Sequence, residues 1–169
     1  MNLNRDLLLE FDQEMKITLQ VLNELSDDLF DYKPHKKSMS TRKLANHIAE
    51  LPSWVNGTLD LPELDFATAG YVPSDIDNKE DLIEFFNKNV ESARQSIGNT
   101  NDERLHENWT LRDGEKIFFT MERITVLRFM VMSHIIHHRA QLGVYLRLNN
   151  VKVPASYYGD SADEKYMYS

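Results

Sequence analysis

Residues 134–147 read His-Ile-Ile-His-His-Arg-Ala-Gln-Leu-Gly-Val-Tyr-Leu-Arg. They form the C-terminal part of the longest helical pattern of the chain, which predicts a helix over about residues 117–148. Side chains spaced three and four apart form one stripe along it: Ile124, Leu127, Val131, His134, His138, Gln141 and Tyr145. The first half of this stripe is apolar, as in a helix that packs into a core, and the second half is polar. Because buried polar groups need partners, we look for the chemistry of the protein in that second half.

Three more helices are predicted upstream. Helix 1 covers about residues 3–26, where leucines, Phe11 and Met15 repeat at helical spacing. Helix 2 begins after an N-cap at Ser40 or Thr41, carries Leu44, His47, Leu51 and Trp54 on one stripe, and is interrupted by Pro52. Asn78 caps helix 3, which stops at Gly98-Asn99.

The remaining segments, residues 31–40, 56–77 and 99–115, lack helical periodicity, and signals for strands are weak throughout. Residues 56–77 form the longest irregular stretch, which fits either a lid or a crossover. We therefore predict an all-α protein, a four-helix bundle with long connections, as a single domain over residues 1–169.

Composition excludes several classes of protein. Of the 169 residues, 41% are hydrophobic, and 27 acidic against 19 basic residues give a net charge of −8, which argues against a nucleic-acid partner. No apolar run is long enough to span a membrane, and acidic residues interrupt the N-terminal segment too early for a secretory signal. The chain has no cysteine, which removes disulfides and thiolate ligands. We expect a cytoplasmic protein.

His134 and His138 lie one turn apart and about 40° apart around the helix axis, so their rings can converge on one metal ion. The alternative is a pair of core histidines that hydrogen-bond to the backbone or to a tyrosine. His137 lies about 100° from His138, so all three rings cannot face one centre. We expect His137 to support the site from beside it or to lie in an interface.

A durable metal site needs a third ligand from another helix. His47 is the best candidate, because it lies on the apolar stripe of helix 2. His35 and His106 lie in polar connections, where we expect them to be solvated. Glu50 and Asp163 are possible additional ligands, although surface ion pairs are the more common role of such carboxylates.

The run 134–147 resembles the signature of the DinB-like (DinB/YfiT) superfamily. The upstream segment Leu44-Ala-Asn-His47-Ile-Ala-Glu50 is similar to the helix 2 histidine segment of that family, and Trp109 also fits its pattern. Three C-terminal motifs resemble the family's ending: Val153-Pro154, Tyr158-Gly159 and Ser161-Ala162-Asp163-Glu164. The resemblance covers nearly the whole chain, and its helix 4 part is the most specific.

The resemblance implies an up-down-down-up four-helix bundle, often a homodimer, that binds a divalent metal through three histidines. Carried over, these ligands are His47, His134 and His138, with Zn or Ni as the expected ion. The superfamily includes transferases that use low-molecular-weight thiols such as bacillithiol or mycothiol, and a mycothiol-dependent maleylpyruvate isomerase. A methionine-rich helix 4 (Met121, Met130, Met132) would offer a face to a second copy.

Three hypotheses for function follow. The first is a metal-dependent transferase that activates a small thiol for attack on an electrophilic small molecule. The second is a metal-dependent hydrolase at the same centre, with Glu50 as the one nearby acid on helix 2, and the third is a non-catalytic bundle that binds a metal or ligand. Other residues are expected to contact substrate, cosubstrate or the histidines: Gln141 and Tyr145 as candidate catalytic residues, Arg139 and Arg147 as carboxylate binders, and Trp54 and Tyr158 as pocket walls.

Overall fold

Residues 2–157 and 161–164 are described by the structure, a computed structural model. In chain order its helices are α1 Leu3–Asn23, α2 Thr41–Glu50, α3 Trp54–Asp60, α4 Phe66–Ala69, α5 Lys79–Asn99, α6 Asp102–His106, α7 Arg123–Val126 and α8 His134–Leu148. The strands are β1 Glu63–Asp65, β2 Asn108–Asp113 and β3 Lys116–Glu122. Short 3₁₀ turns lie at Asp27–Leu29 and Leu51–Ser53, and a π-helical segment, Leu127–Ser133, joins α7 to α8.

The long helices lie close to where the sequence places them. The Asn78 side chain accepts a hydrogen bond from the Asp81 amide and caps α5, which ends at Asn99 as predicted. Pro52 separates α2 from α3, also as predicted. Helices α1, α2, α5 and α8 enclose the larger apolar core. None of the helices among the described residues combines the length and the apolar character needed to cross a bilayer.

The prediction of an all-α four-helix bundle is wrong, because the chain also forms a three-stranded mixed sheet. The strand order is β1-β2-β3, with β1 parallel to β2 and β2 antiparallel to β3. Residues 117–122, assigned above to helix 4, belong to β3, and the helical run begins at Arg123. This segment is rich in β-branched and aromatic residues, which pack well on a pleated surface. Gly114 and Glu115 form the two-residue turn between β2 and β3, and Gly114, at φ 59°, was the missed hairpin signal.

The sheet builds a second, smaller core beside α3. Trp109, Leu111 and Val126 are buried there, with Trp54 packed against them. The Trp109 indole Nε1 donates a hydrogen bond to the Gly57 carbonyl at 3.1 Å. These contacts fix the position of α3 against the sheet.

Candidate metal centre

Three histidine rings meet where α2 packs against α8. His47 comes from α2, and His134 and His138 come from the first turns of α8. The ring centroids are 4.9 Å apart for His47 and His134, 4.8 Å for His47 and His138, and 4.6 Å for His134 and His138. One ring nitrogen from each lies within 4.8 Å of the others, so the three side chains are placed where they could hold a metal ion.

Local structure sets the direction in which each ring points. The Ser40 hydroxyl accepts a hydrogen bond from the Lys43 amide at 3.2 Å and starts α2, so that His47 lies on the side of the helix facing α8. His134 and His138 are one turn apart and therefore share a face of α8. The stripe argument from the sequence thus placed these rings correctly.

Hydrogen bonds hold the two α8 rings by their Nδ1 atoms. His134 Nδ1 lies 3.3 Å from the Met130 carbonyl, which belongs to the π-helical segment, and His138 Nδ1 lies 2.8 Å from Gln141 Oε1. Because both partners accept, each Nδ1 carries the proton and each Nε2 has a lone pair, which in His134 lies 3.3 Å from Nε2 of His47. Second ring nitrogens anchored in this way are typical of metal-binding histidines.

One pair of ring nitrogens already has the spacing of two ligands of a small divalent ion. Nε2 of His47 and Nε2 of His134 are 3.3 Å apart. Two imidazole nitrogens bound to zinc at about 2.0–2.1 Å with a tetrahedral angle would lie about 3.3–3.4 Å apart. The donor set, three neutral imidazoles, suits zinc, nickel, copper or iron.

All three imidazoles have lowered pKa values. Burial, the largest cause, acts together with the neighbouring His138 and His134 to lower the pKa of His47 to about 4. Burial is also the largest cause of the lowered pKa values of His134 and His138. A lowered pKa means that each ring is neutral at neutral pH, with a lone pair available to a cation.

A cavity of about 430 Å³ opens beside His47. One side is formed by Lys43, His47 and Glu50, which lie on one face of α2. The other side is formed by residues 71–75, the segment between α4 and α5. The cavity is large enough for a small molecule, and it gives that molecule direct access to His47, one member of the histidine cluster.

The segment that covers the cavity is held by side chains of α2. Asn46 accepts from the Ile76 amide and donates to the Ile76 carbonyl, both at 2.8 Å. Arg42 pairs with Asp75 at 3.3 Å, and the Glu50 carboxylate accepts from the Ser74 amide and hydroxyl at 3.4 Å each. These anchors make residues 70–77 a fixed wall of the site.

Replacing Asn46 by alanine is expected to loosen this wall. Asn46 is 2% exposed, and its loss leaves both Ile76 backbone groups without their partner, which costs about 1–3 kcal/mol. Hydrogen exchange should show faster exchange at residues 71–77, with little change in α5. Arg42→Ala is the control, because an exposed ion pair contributes about 0–1 kcal/mol. Equal effects of the two variants would contradict this account of the wall.

Glu50 is 8% exposed, and the structure places it in the cavity wall rather than in the histidine cluster. Tyr71 donates a hydrogen bond to it, and partial burial together with this carboxylate raises the pKa of Tyr71 to about 12. Tyr71 and Ser74 are functional candidates that the sequence analysis missed, because no local pattern shows that residues 70–77 fold back over α2.

His137, as expected, is exposed beside the cluster, with its ring 4.9 Å from that of His138.

The other candidate residues have structural partners. Arg139 pairs with Glu14 at 2.8 Å in the core, and Arg147 pairs with Asp163 at 2.6 Å. This pair, with the Val153 amide, lowers the pKa of Asp163 to about 2. The Tyr145 hydroxyl donates to the carbonyl of Met39, another cavity residue, at 3.3 Å. Tyr158 lies outside the described residues.

The class of protein is therefore a mainly helical one, with a small sheet and a cluster of three histidines from two helices, next to a cavity that His47 lines. The DinB family model matches residues 1–167, and the chain belongs to the DinB family. No curated protein matches the chain.

Solved structures show the same fold. A DinB-like protein from Bacillus subtilis is 20% identical, with a TM-score of 0.70 over 89% of this chain and 97% of its own. A DinB-like protein from Bacillus cereus is also 20% identical, with a TM-score of 0.68 over 89% of this chain and 95% of its own.

Proposed function

We propose that the protein is a divalent-metal-dependent transferase that activates a small thiol for attack on an electrophilic small molecule. The observation that carries the proposal is the convergence of three neutral imidazoles, one of which, His47, lines an open cavity. Three protein ligands are typical of catalytic sites, because structural zinc is normally enclosed by four. Zinc or nickel is the expected ion. The chain has no cysteine, so the reacting sulfur belongs to the cosubstrate.

A divalent ion bound by the histidines would lower the pKa of a thiol beside it. The protein's own groups supply the rest. Met130 and Gln141 orient the rings of His134 and His138, and Glu50 lies in the cavity wall where it can accept the thiol proton. The sulfur then bonds to the electrophilic carbon, and the leaving group departs with its electron pair and takes the proton from Glu50. Tyr145, through Met39, supports the cavity rim.

The test is an assay of metal-loaded protein with a panel of thiols and electrophiles. We expect thiol consumption that depends on the metal, at least about 10²-fold above the uncatalysed reaction, as expected from positioning and general base catalysis. His134→Ala serves as the inactive control and His137→Ala as the active one. A rate equal to background for every thiol would contradict the proposal.

Hydrolysis at the same centre is the second candidate, and the burial of Glu50 beside His47 favours it. A carboxylate in that position can take a proton from water as well as from a thiol. Ester and amide substrates in the absence of thiol separate the two reactions. Glu50→Gln is expected to lower hydrolysis by about 10²–10⁴-fold if Glu50 is the general base. Asp75→Asn, which changes a carboxylate at the cavity rim, should leave the rate of hydrolysis within a few-fold of that of the parent protein.

The homodimer stays a prediction. Met132 is buried and Met121 lies in β3, so these methionines do not form the expected helix face. Exposed Phe129, Val144 and Leu148 offer apolar surface instead. Light scattering would measure the mass in solution, and a monomer would contradict the prediction.

A further inference from the structure

A second cavity, of about 220 Å³, lies next to the one beside His47. Its walls include Trp54, Trp109 and Leu64. Glu50 and Tyr71 line both cavities, so the two spaces meet at this hydrogen-bonded pair. A molecule that occupies the first cavity therefore has an apolar compartment within reach.

The aromatic walls of this compartment are fixed in place. Trp109 is 1% exposed, and its Nε1 is already paired with the Gly57 carbonyl. The Trp54 ring packs edge-to-face on Phe66, with centroids 6.1 Å apart. A ligand entering here meets preformed rings, which lowers the entropic cost of binding.

Volume and polarity define what the compartment can take. Apolar protein cavities of about 150 Å³ bind benzene. The second cavity exceeds this size, and the carboxylate of Glu50 and the hydroxyl of Tyr71 lie on the side it shares with the first cavity. A phenyl ring or a branched alkyl group fits it, whereas a nucleoside is too large and too polar.

We infer that the Trp54/Trp109 cavity binds the apolar group, a phenyl ring or a branched alkyl chain, of the molecule whose reactive end lies beside His47. This inference rests on the proposed function for the role of the reactive end. The substrate class is thus a small molecule with one polar, reactive end and one apolar end.

Tryptophan fluorescence gives a direct readout, because the two tryptophans of the chain both line this cavity. Benzyl alcohol, which has no thiol, is titrated into metal-free protein. We expect a saturable change in emission, independent of metal and of catalysis. The emission change is expected even if the protein catalyses no metal-dependent reaction. Failure of the proposed function is therefore distinguishable from failure of this inference. Emission that does not respond to benzyl alcohol overturns the inference.

Gly57 is a position where an added side chain can enter the cavity. It lines the cavity, and a Cβ added there meets no atom within 4 Å. Gly57→Leu is expected to abolish the benzyl alcohol response. Gly98→Leu is the matched control, because Gly98 is also helical, is also free of clashes and lies outside this cavity. A response that survives Gly57→Leu overturns the inference.

A molecule with a thiol at one end and a phenyl ring at the other tests whether the two cavities bind one ligand together. Binding of 2-phenylethanethiol and of 2-mercaptoethanol to zinc-loaded protein is compared by calorimetry. We expect the aromatic thiol to bind at least about tenfold more tightly, which corresponds to about 1.4 kcal/mol. Gly57→Leu should remove this advantage and Gly98→Leu should keep it. Equal affinities in the parent protein overturn the inference.

Discussion

Replacing His134 by alanine is expected to reduce divalent metal affinity by more than 100-fold. His134 supplies the Nε2 atom that lies 3.3 Å from Nε2 of His47, so its loss leaves two imidazoles, too few for a stable site. Loss of a group that only orients a ligand typically costs about 10–100-fold, and loss of the ligand itself should cost more. Competition with a chromophoric chelator measures the affinity, and calorimetry gives the stoichiometry, expected to be one ion per chain.

Two matched variants make this result specific. His137→Ala changes the exposed neighbour of His138 and should leave metal affinity within a few-fold of the parent. Gln141→Ala removes the acceptor of the His138 Nδ1 proton and should lower metal affinity by about 10–100-fold, less than His134→Ala and more than His137→Ala. Metal affinity that is insensitive to His134→Ala, or equally sensitive to His137→Ala, would contradict the three-histidine centre.

Thermal unfolding provides an independent measure of the same binding. A ligand that binds only the folded protein stabilises it by about 2.7 kcal/mol at a free concentration of 100 times its Kd. The parent protein and His137→Ala should therefore gain melting temperature on addition of zinc. His134→Ala should gain almost none at the same concentration.

The histidine cluster was predictable because it obeys local rules. His134 and His138 continue an apolar stripe, and His47 lies on another, so burial directs all three rings inward. The π-helical segment Leu127–Ser133, which supplies the carbonyl that pairs with His134, was not predictable. Its backbone bonds have a wider spacing than those of an α-helix, and the residues that form it fit both patterns.

The sheet and the cavity wall depend on contacts between distant residues. β1 pairs with β2 across more than forty residues, and a three-residue strand has too few residues to show an alternating pattern. In the sequence, Asn46 and Glu50 are indistinguishable from ordinary polar residues of α2. Their partners at residues 74–76 come within hydrogen-bond distance only when the chain folds back over α2. In these places tertiary packing, rather than local propensity, decides the structure.

Arg139 shows how such long-range contacts resolve a role that the sequence leaves open. Instead of facing a cosubstrate, its guanidinium donates to the Glu14 carboxylate at 2.8 Å, to the Thr18 hydroxyl at 3.2 Å and to the Tyr157 hydroxyl at 3.0 Å. Tyr157 in turn donates to Glu14 at 3.0 Å. Arg139 is 3% exposed and Tyr157 is 47% exposed, so this network joins α1 and α8 in the core and reaches the surface at the C-terminal segment.

Arg139→Met is therefore expected to lower the free energy of unfolding by about 3–5 kcal/mol, because it leaves the Glu14 carboxylate buried without its cation. Urea unfolding measures the change, with a constant m-value as the sign that the unfolded state is unaffected. The double variant Arg139→Met with Glu14→Leu should recover at least about 2 kcal/mol, since buried ion pairs replaced by apolar groups are often neutral or stabilising. Arg147→Met is the control, because Arg147 lies on α8 as Arg139 does and its ion pair with Asp163 is more exposed. It should lower the free energy of unfolding by at most about 1 kcal/mol. If Arg139→Met costs no more than Arg147→Met, the network does not stabilise the fold, and Arg139 becomes available again as a residue for binding a carboxylate.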